Sequence, residues 1–418
     1  ILNNSIHITG LVPGEHFLEV SSPGYRSWSK KVVIESGITT EFWNIVLTKE
    51  SPALLSVPGT DHAVKLFRAP QDKLFAVAKQ IGDEFAIDTL DTDTEKTVRV
   101  FSTTDYSFSP DDTENIEWIP ESTKLIVPLT KNNQRVYMVV DTEKSTSTDL
   151  NSLTNINTQL RAPRWDPSVK NGLFFLSGSN LYHIDVSDKT VAPVLVREHV
   201  KAYDISSRNI FFLDDQDGFV YETAISGNDT DNTLITISPL TVDPAAEYSI
   251  IAYDKDRLTI LNRSTGELFV FNALPDTPVM RSLGSGIQSM QYSDDGKKLL
   301  YFTENEVSVY FNDDWTTQPT READSVFQIA RFSNPIRFVQ WAKDYEHVIL
   351  SLGGTVKCIE LDNRDRRNIQ DIISFPSAPI QVLARFEENR IYLVQSETEA
   401  NNAAGMITFP EPVSIFGL

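Results

Sequence analysis

The chain contains one cysteine, Cys358, so it forms no internal disulfide and no disulfide framework supports the fold. Basic residues are also scarce: 37 Lys and Arg stand against 58 Asp and Glu, a formal charge of −21. A duplex groove needs clustered Lys and Arg to displace counterions, and this carboxylate surplus repels phosphate and anionic membrane surfaces, which excludes nucleic acid as a partner. No run of roughly eighteen apolar residues appears, and no basic start leads into an apolar stretch, so a membrane-spanning helix and a signal peptide are both missing from the residues given. Catalytic patterns are sparse as well. The six histidines, His7, His16, His62, His183, His199 and His347, do not pair with one another or with cysteine at zinc-binding spacings. A G-x-S-x-G elbow is absent and no α/β-hydrolase region follows, which removes a prolyl-peptidase reading. Sialidase-type S-x-D-x-G-x-x-W boxes are absent too. Helical periodicity is nearly missing.

What is present is β-structure. Apolar content of 40% and aromatic content of 10% place the chain among ordered globular proteins. Runs of five to seven alternating or β-branched residues are broken by Asp, Asn, Gly, Ser and Pro, as strands with tight turns require. From residue 62 onward these runs repeat as a unit: an anchor strand, a polar turn, a very apolar strand, then an alternating one. The anchors are Phe67, Trp118, Trp165, Tyr203, Tyr253, Tyr292, Trp341 and Leu383. Their mean spacing of about 45 residues is that of four-stranded propeller blades. Strongly apolar second strands follow each anchor, among them 74–78, 124–129, 173–177 and 348–352.

The sequence therefore predicts an all-β fold over residues 51–418, a β-propeller of eight blades with seven as the variant. An open stack of sheets or two sandwiches is the competing architecture, and regular spacing argues against it. The last unit lacks a fourth strand after 406–409. Residues 53–57 have no other place and are expected to join the final blade, closing the ring and removing two sheet edges.

The turns Ser293-Asp294-Asp295-Gly296-Lys297 and Ser109-Pro110-Asp111-Asp112, with Trp165-Asp166-Pro167, resemble those of bacterial WD-type propellers. Residues 1–50 form a separate module in which Pro13-Gly14 and Pro23-Gly24 turns bracket an alternating strand and two further strands, 31–35 and 43–47, follow. Phe17, Leu18, Val20, Tyr25 and Trp28 are expected to supply its core. Over roughly residues 6–48 this module resembles the PEGA domain, through Leu11, Pro13, Gly14, Gly24 and Tyr25. The resemblance implies a small β-sandwich-like domain. It also implies an extracytoplasmic place on the bacterial cell surface, tethered by an N-terminal transmembrane helix that this chain does not include. The strands that open that family are missing here, which points to truncation at the start.

Two loops carry the expected function. The third-to-fourth-strand loops of adjacent blades, 312–325 and 363–370, bring Trp315 together with Arg364, Arg366 and Arg367, the residue mix of interaction hot spots. The structural alternative is that the arginines are solvated and Trp315 folds back on its blade. Asp214, Asp215 and Asp217 before Gly218 are the metal candidate, since alternating carboxylates can wrap Ca²⁺, although the same residues make an ordinary hairpin turn, the favoured reading. Cys358 reads as a small buried residue. The expectation is a non-enzymatic envelope scaffold without a cofactor, binding a protein partner or an envelope glycan through propeller loops. The alternative is a carbohydrate-binding or glycan-processing site at the channel mouth.

Overall fold

The computed structural model describes residues 6–70, 73–109, 114–154, 156, 158–188, 192–225, 232–398 and 401–410. Pro110, Asp111 and Asp112 of the second repeat turn lie outside them. Eight four-stranded antiparallel sheets form an eight-bladed β-propeller. Blades 1 to 7 cover 63–103, 117–149, 160–197, 200–234, 248–284, 287–331 and 336–374. Blade 8 combines 381–408 with the two-residue strand Leu55–Ser56, which pairs antiparallel with Asn401–Thr408. Among the described residues, helix is confined to Leu150–Thr154 and the single 3₁₀ turn Phe386–Glu388.

The repeat is physically simple. The first strand of each blade carries the anchor and touches the neighbouring blades; the second strand is shut away on both faces, as in Gly172–Ser177, where every residue is buried. Five of the eight anchors are buried and Tyr253, Tyr292 and Leu383 are half-buried. Trp118, Trp165 and Trp341 are buried, and each indole N–H crosses to the preceding blade, donating to the carbonyls of Phe67, Glu117 and Gln291 at 3.1, 3.2 and 3.1 Å. Tyr203 makes the same crossing through its hydroxyl, to Ala162 O at 2.6 Å, whereas Tyr253 reaches forward to the following blade, to Asp294 O at 2.6 Å. An indole or phenol suits this place because its body fills the wedge between blades while its polar tip finds a partner.

The Ser293–Lys297 turn shows why its residue types recur. Ser293 Oγ accepts the Lys298 N–H at 2.9 Å and donates to Asp295 Oδ1 at 2.6 Å, and Asp295 in turn accepts the Lys297 N–H. Gly296 has a φ of +65°, and a Cβ there would fall 2.4 Å from the Tyr253 ring. Only glycine fits both constraints.

The N-terminal module differs from expectation. It contains one two-stranded hairpin, β1 (Gly14–Val20) and β2 (Trp28–Ile34), and 43–47 runs as irregular chain, not as a third strand. The cause is visible at two positions: Asn44 takes a left-handed φ of +53°, and beyond it Leu47 and Thr48 are buried, with Thr48 N–H donating to Gln370 of blade 7. Nor do the expected residues form a core of their own. Phe17 is 64% exposed, whereas Trp28, Lys30 and Val32 on the other face of the hairpin are buried. A lone two-stranded hairpin is marginal in water, and this one gains its core by lying against the propeller.

Candidate functional site

The hairpin seat is built from blades 6 and 7. Lys30, 0% exposed, points its ammonium at Glu360 Oε1 (2.6 Å) and donates to three backbone carbonyls of one loop, Asp362 (3.0 Å), Arg364 (3.1 Å) and Arg366 (2.8 Å). Glu360 uses its second oxygen to accept the Trp28 indole N–H at 2.7 Å. A buried charge is tolerable only when paired and fully hydrogen-bonded, and this ammonium meets both conditions.

Of the four residues singled out from the sequence, Arg364 and Arg366 contact this hairpin seat and Arg367 and Trp315 pack on the blades beside it, with the bonding of all four directed inward. Arg364 holds Asp362 in a fork, donates to Gln318 Oε1 (3.1 Å) and to Glu41 O (2.6 Å), and stacks 4.1 Å over the Phe42 ring. Arg366 donates to Ser29 Oγ of β2 at 2.9 Å. Arg367 reaches back to Ile329 O and lies over Phe327. Trp315 packs on the cluster between blades 6 and 7, with the Lys298 ammonium 3.7 Å from its ring centre. Arg364 and Arg366 are thus engaged by the module of the same chain, while Arg367 and Trp315 serve the blades. Sequence spacing could place these residues together but could not show that the first fifty residues occupy them.

The aspartates of blade 4 do not converge. Asp214 Oδ1 accepts the N–H groups of Gln216 and Asp217; Asp215 lies 3.4 Å from His199; Asp217 caps Phe219 N–H and accepts the Tyr221 hydroxyl at 2.6 Å. Asp214 and Asp217 close the turn while Asp215 points to His199, and no group of three metal-ligating side chains occurs among the described residues. These bonds are those of the hairpin turn that the sequence reading favoured over a Ca²⁺ site.

Acids of the innermost strands near the channel are likewise engaged between blades. Arg164 lies between Glu117 and Asp204, at 3.0 Å from each, and these carboxylates also accept the N–H groups of Trp165 and Ala252 on the next blades. Burial pushes the Glu117 carboxyl upward, with Arg164 opposing it. For Arg164, burial disfavours the charge, but the two carboxylates outweigh it and hold the guanidinium above its ordinary value. Cys358 is buried, and desolvation raises its thiol well above the usual range, which keeps it protonated and unreactive.

The sequence reading missed the exposed apolar residues of the N-terminal module. Ile6, Ile8, Leu11, Val12, Phe17, Val33, Ile38 and Trp43 are 8 of the 19 large apolar residues exposed among those described, gathered in about a tenth of the chain. Val33, Ile38 and Phe42 also line a groove of about 410 Å³ with Lys31, Gln318 and Arg364, where the module meets blades 6 and 7. A concentration of exposed large apolar side chains is a feature of interaction sites.

These features define an eight-bladed propeller that carries a docked N-terminal hairpin. No family model matches the chain, and no curated protein matches it. Among solved structures, that of the eukaryotic initiation factor is similar at 12% identity and a TM-score of 0.52, covering 87% of this chain and 91% of that one. Kluyvelomyces marxianus Hsv2 is similar at 10% identity and 0.46, covering 74% and 97%. A prolyl endopeptidase structure follows at 11% and 0.47, covering 81% and 55%. At such identities the likeness is one of fold, and the propeller fold serves many unrelated functions, protein interaction prominent among them.

Proposed function

We propose that the protein is a non-enzymatic interaction scaffold that binds a protein partner through its N-terminal module, at the extracytoplasmic surface of a bacterial cell. The observation that carries the reading is the concentration of exposed apolar side chains on that module, beside a propeller whose loops hold it rigidly in place. The docking surface is moved from the arginine loop to the hairpin it supports. The engagement of Glu117 and Asp204 in bonds between blades speaks for a scaffold and against acid–base work in the channel. The envelope location rests on the resemblance of residues 6–48 to the PEGA domain.

Site-specific photo-cross-linking tests the surface. A cross-linker at position 17 or 43 is expected to capture partner, and one at the exposed Val98 on the outer strand of blade 1 is not. Equal capture at all three positions overturns the assignment. Labelling intact cells with a membrane-impermeant reagent tests the location: modification only after lysis overturns it.

A further inference from the structure

The two edges of the hairpin are unlike. The outer edge of β2 is covered by the blade 7 loop: Lys31 N–H donates to Asp365 Oδ2 at 2.8 Å, and Ser29 O accepts Asn368 Nδ2. β1 pairs with β2 alone among the described residues, so its other edge, seven residues long, leaves the outward N–H and C=O groups of alternate residues without a strand partner. Alternation sets Glu15, Phe17 and Glu19 on the solvent face of that strand, all three exposed, opposite Val33, Lys31 and Ser29. His16, Leu18 and Val20 face the propeller side together with Trp28, Lys30 and Val32.

We propose that β1 is an acceptor strand, to which an extended segment of a partner protein adds as a third strand, with Lys or Arg at two positions flanking an apolar residue. The proposal rests on the interaction reading above and names its chemistry. Strand addition draws affinity from main-chain hydrogen bonds and specificity from alternate side chains. Here the alternate side chains are acid, aromatic, acid. Opposite-charge cross-strand pairs are stabilising, and like charges placed opposite each other are destabilising.

The same rule disfavours a second copy of this chain. Antiparallel pairing of two β1 strands about Phe17 sets Glu15 of each against Glu19 of the other, in molecules that each carry a charge of −21. A basic strand has no such conflict. Lys31, across from Phe17 on the same face, further selects an apolar over a cationic residue at the central position.

The test uses the full chain and two synthetic seven-residue strands of one design, Lys-x-Val-x-Lys at the centre of one and Glu-x-Val-x-Glu in the other. Hydrogen exchange is followed by mass spectrometry. The basic strand is expected to slow exchange across 14–20 at least tenfold and the acidic strand to leave it unchanged. The Glu15→Lys, Glu19→Lys double variant, altered only at exposed positions, is expected to reverse that preference. Protection by both strands alike, by neither, or an unreversed preference in the variant overturns the proposal. So does protection of 14–20 that rises with protein concentration alone, which would identify a second copy as the occupant. Failure here with cross-linking retained at 17 and 43 leaves the interaction surface standing and removes the strand edge; loss of both removes the wider reading.

Discussion

The Lys30 ammonium and the Glu360 carboxylate meet at 2.6 Å with both side chains shut away from solvent, one on the hairpin and the other on blade 7. The pair is what makes a marginal hairpin into a fixed part of the surface. Removing one partner of a buried pair typically costs about 3–5 kcal/mol, because the other charge is left uncompensated. Here the strain has an escape: undocking the hairpin readmits water to Glu360. Lys30→Met is therefore expected to raise hydrogen exchange across 14–34 at least tenfold while the blade 7 strands keep their protection. Exchange rising uniformly through all blades would refute this account. Arg364→Ala should move the same residues in the same direction but less, since Lys30 retains its carbonyl cage.

His347 and Asp344 form a second ion pair, 2.8 Å apart at the turn of blade 7. Burial lowers the His347 pKa, but Asp344, with help from Glu360 and Glu346, more than reverses that and raises it above the ordinary value. Burial raises the Asp344 carboxyl, and His347 together with backbone N–H groups brings it below the ordinary value. The signs give a window. The histidine contribution is complete below the unfolded pKa of about 6.5 and is lost as pH rises through the folded value; the aspartate contribution is complete above about 4 and is lost as pH falls through its folded value. Urea midpoints are expected to fall between pH 5.5 and pH 9 in the native protein. In His347→Gln that alkaline decline should shrink. An identical decline in the variant would assign it to other groups.

The propeller was legible from the sequence because its causes are local and repeated. An anchor such as Trp341 and the apolar strand 348–352 recur at a fixed spacing, and each blade solves the same packing problem. The hairpin seat was not legible. Lys30 reads as a surface cation in an alternating strand, and only the fold brings Asp362, Arg364 and Arg366 around it. The same missing contact made Phe17 look like core: a strand with one apolar and one mixed face does not say which face the rest of the chain will cover.

Gly218 ends the aspartate turn of blade 4 in left-handed backbone. Its φ is +76°, and an added Cβ would stand 2.0 Å from Leu240 O, a backbone atom that cannot swing away. Left-handed backbone alone costs a side-chain-bearing residue about 1–2 kcal/mol, and the clash adds to it. Gly218→Ala is expected to lower the thermal midpoint by several degrees. Calcium at millimolar concentration should leave the midpoint of the native protein unchanged, since Asp214 and Asp217 already bond within the turn and Asp215 faces His199. A calcium-dependent rise, abolished in Asp217→Asn, would restore the metal reading.

The seam between blades 8 and 1 closes the ring, and Gln381 stitches it. Its Oε1 accepts the Leu66 N–H at 2.7 Å and its Nε2 donates to Leu66 O at 2.9 Å, with the amide buried. Gln340 makes a comparable stitch to Ala384 between blades 7 and 8. Replacing either by Met keeps the volume and strands the backbone groups, at about 1–3 kcal/mol for each group left buried and unpaired. The consequences should differ. Blades 7 and 8 are also joined directly by residues 375–380, whereas blades 8 and 1 are held by the chain only through Leu55–Ser56 and the turn after it, where Thr60 Oγ1 accepts the Ala404 N–H. Gln381→Met is therefore expected to raise hydrogen exchange in 63–68 and 381–385 together, and Gln340→Met to do so less at its own seam. Equal effects at the two seams would mean that the closing strand holds the ring as firmly as the continuous chain does.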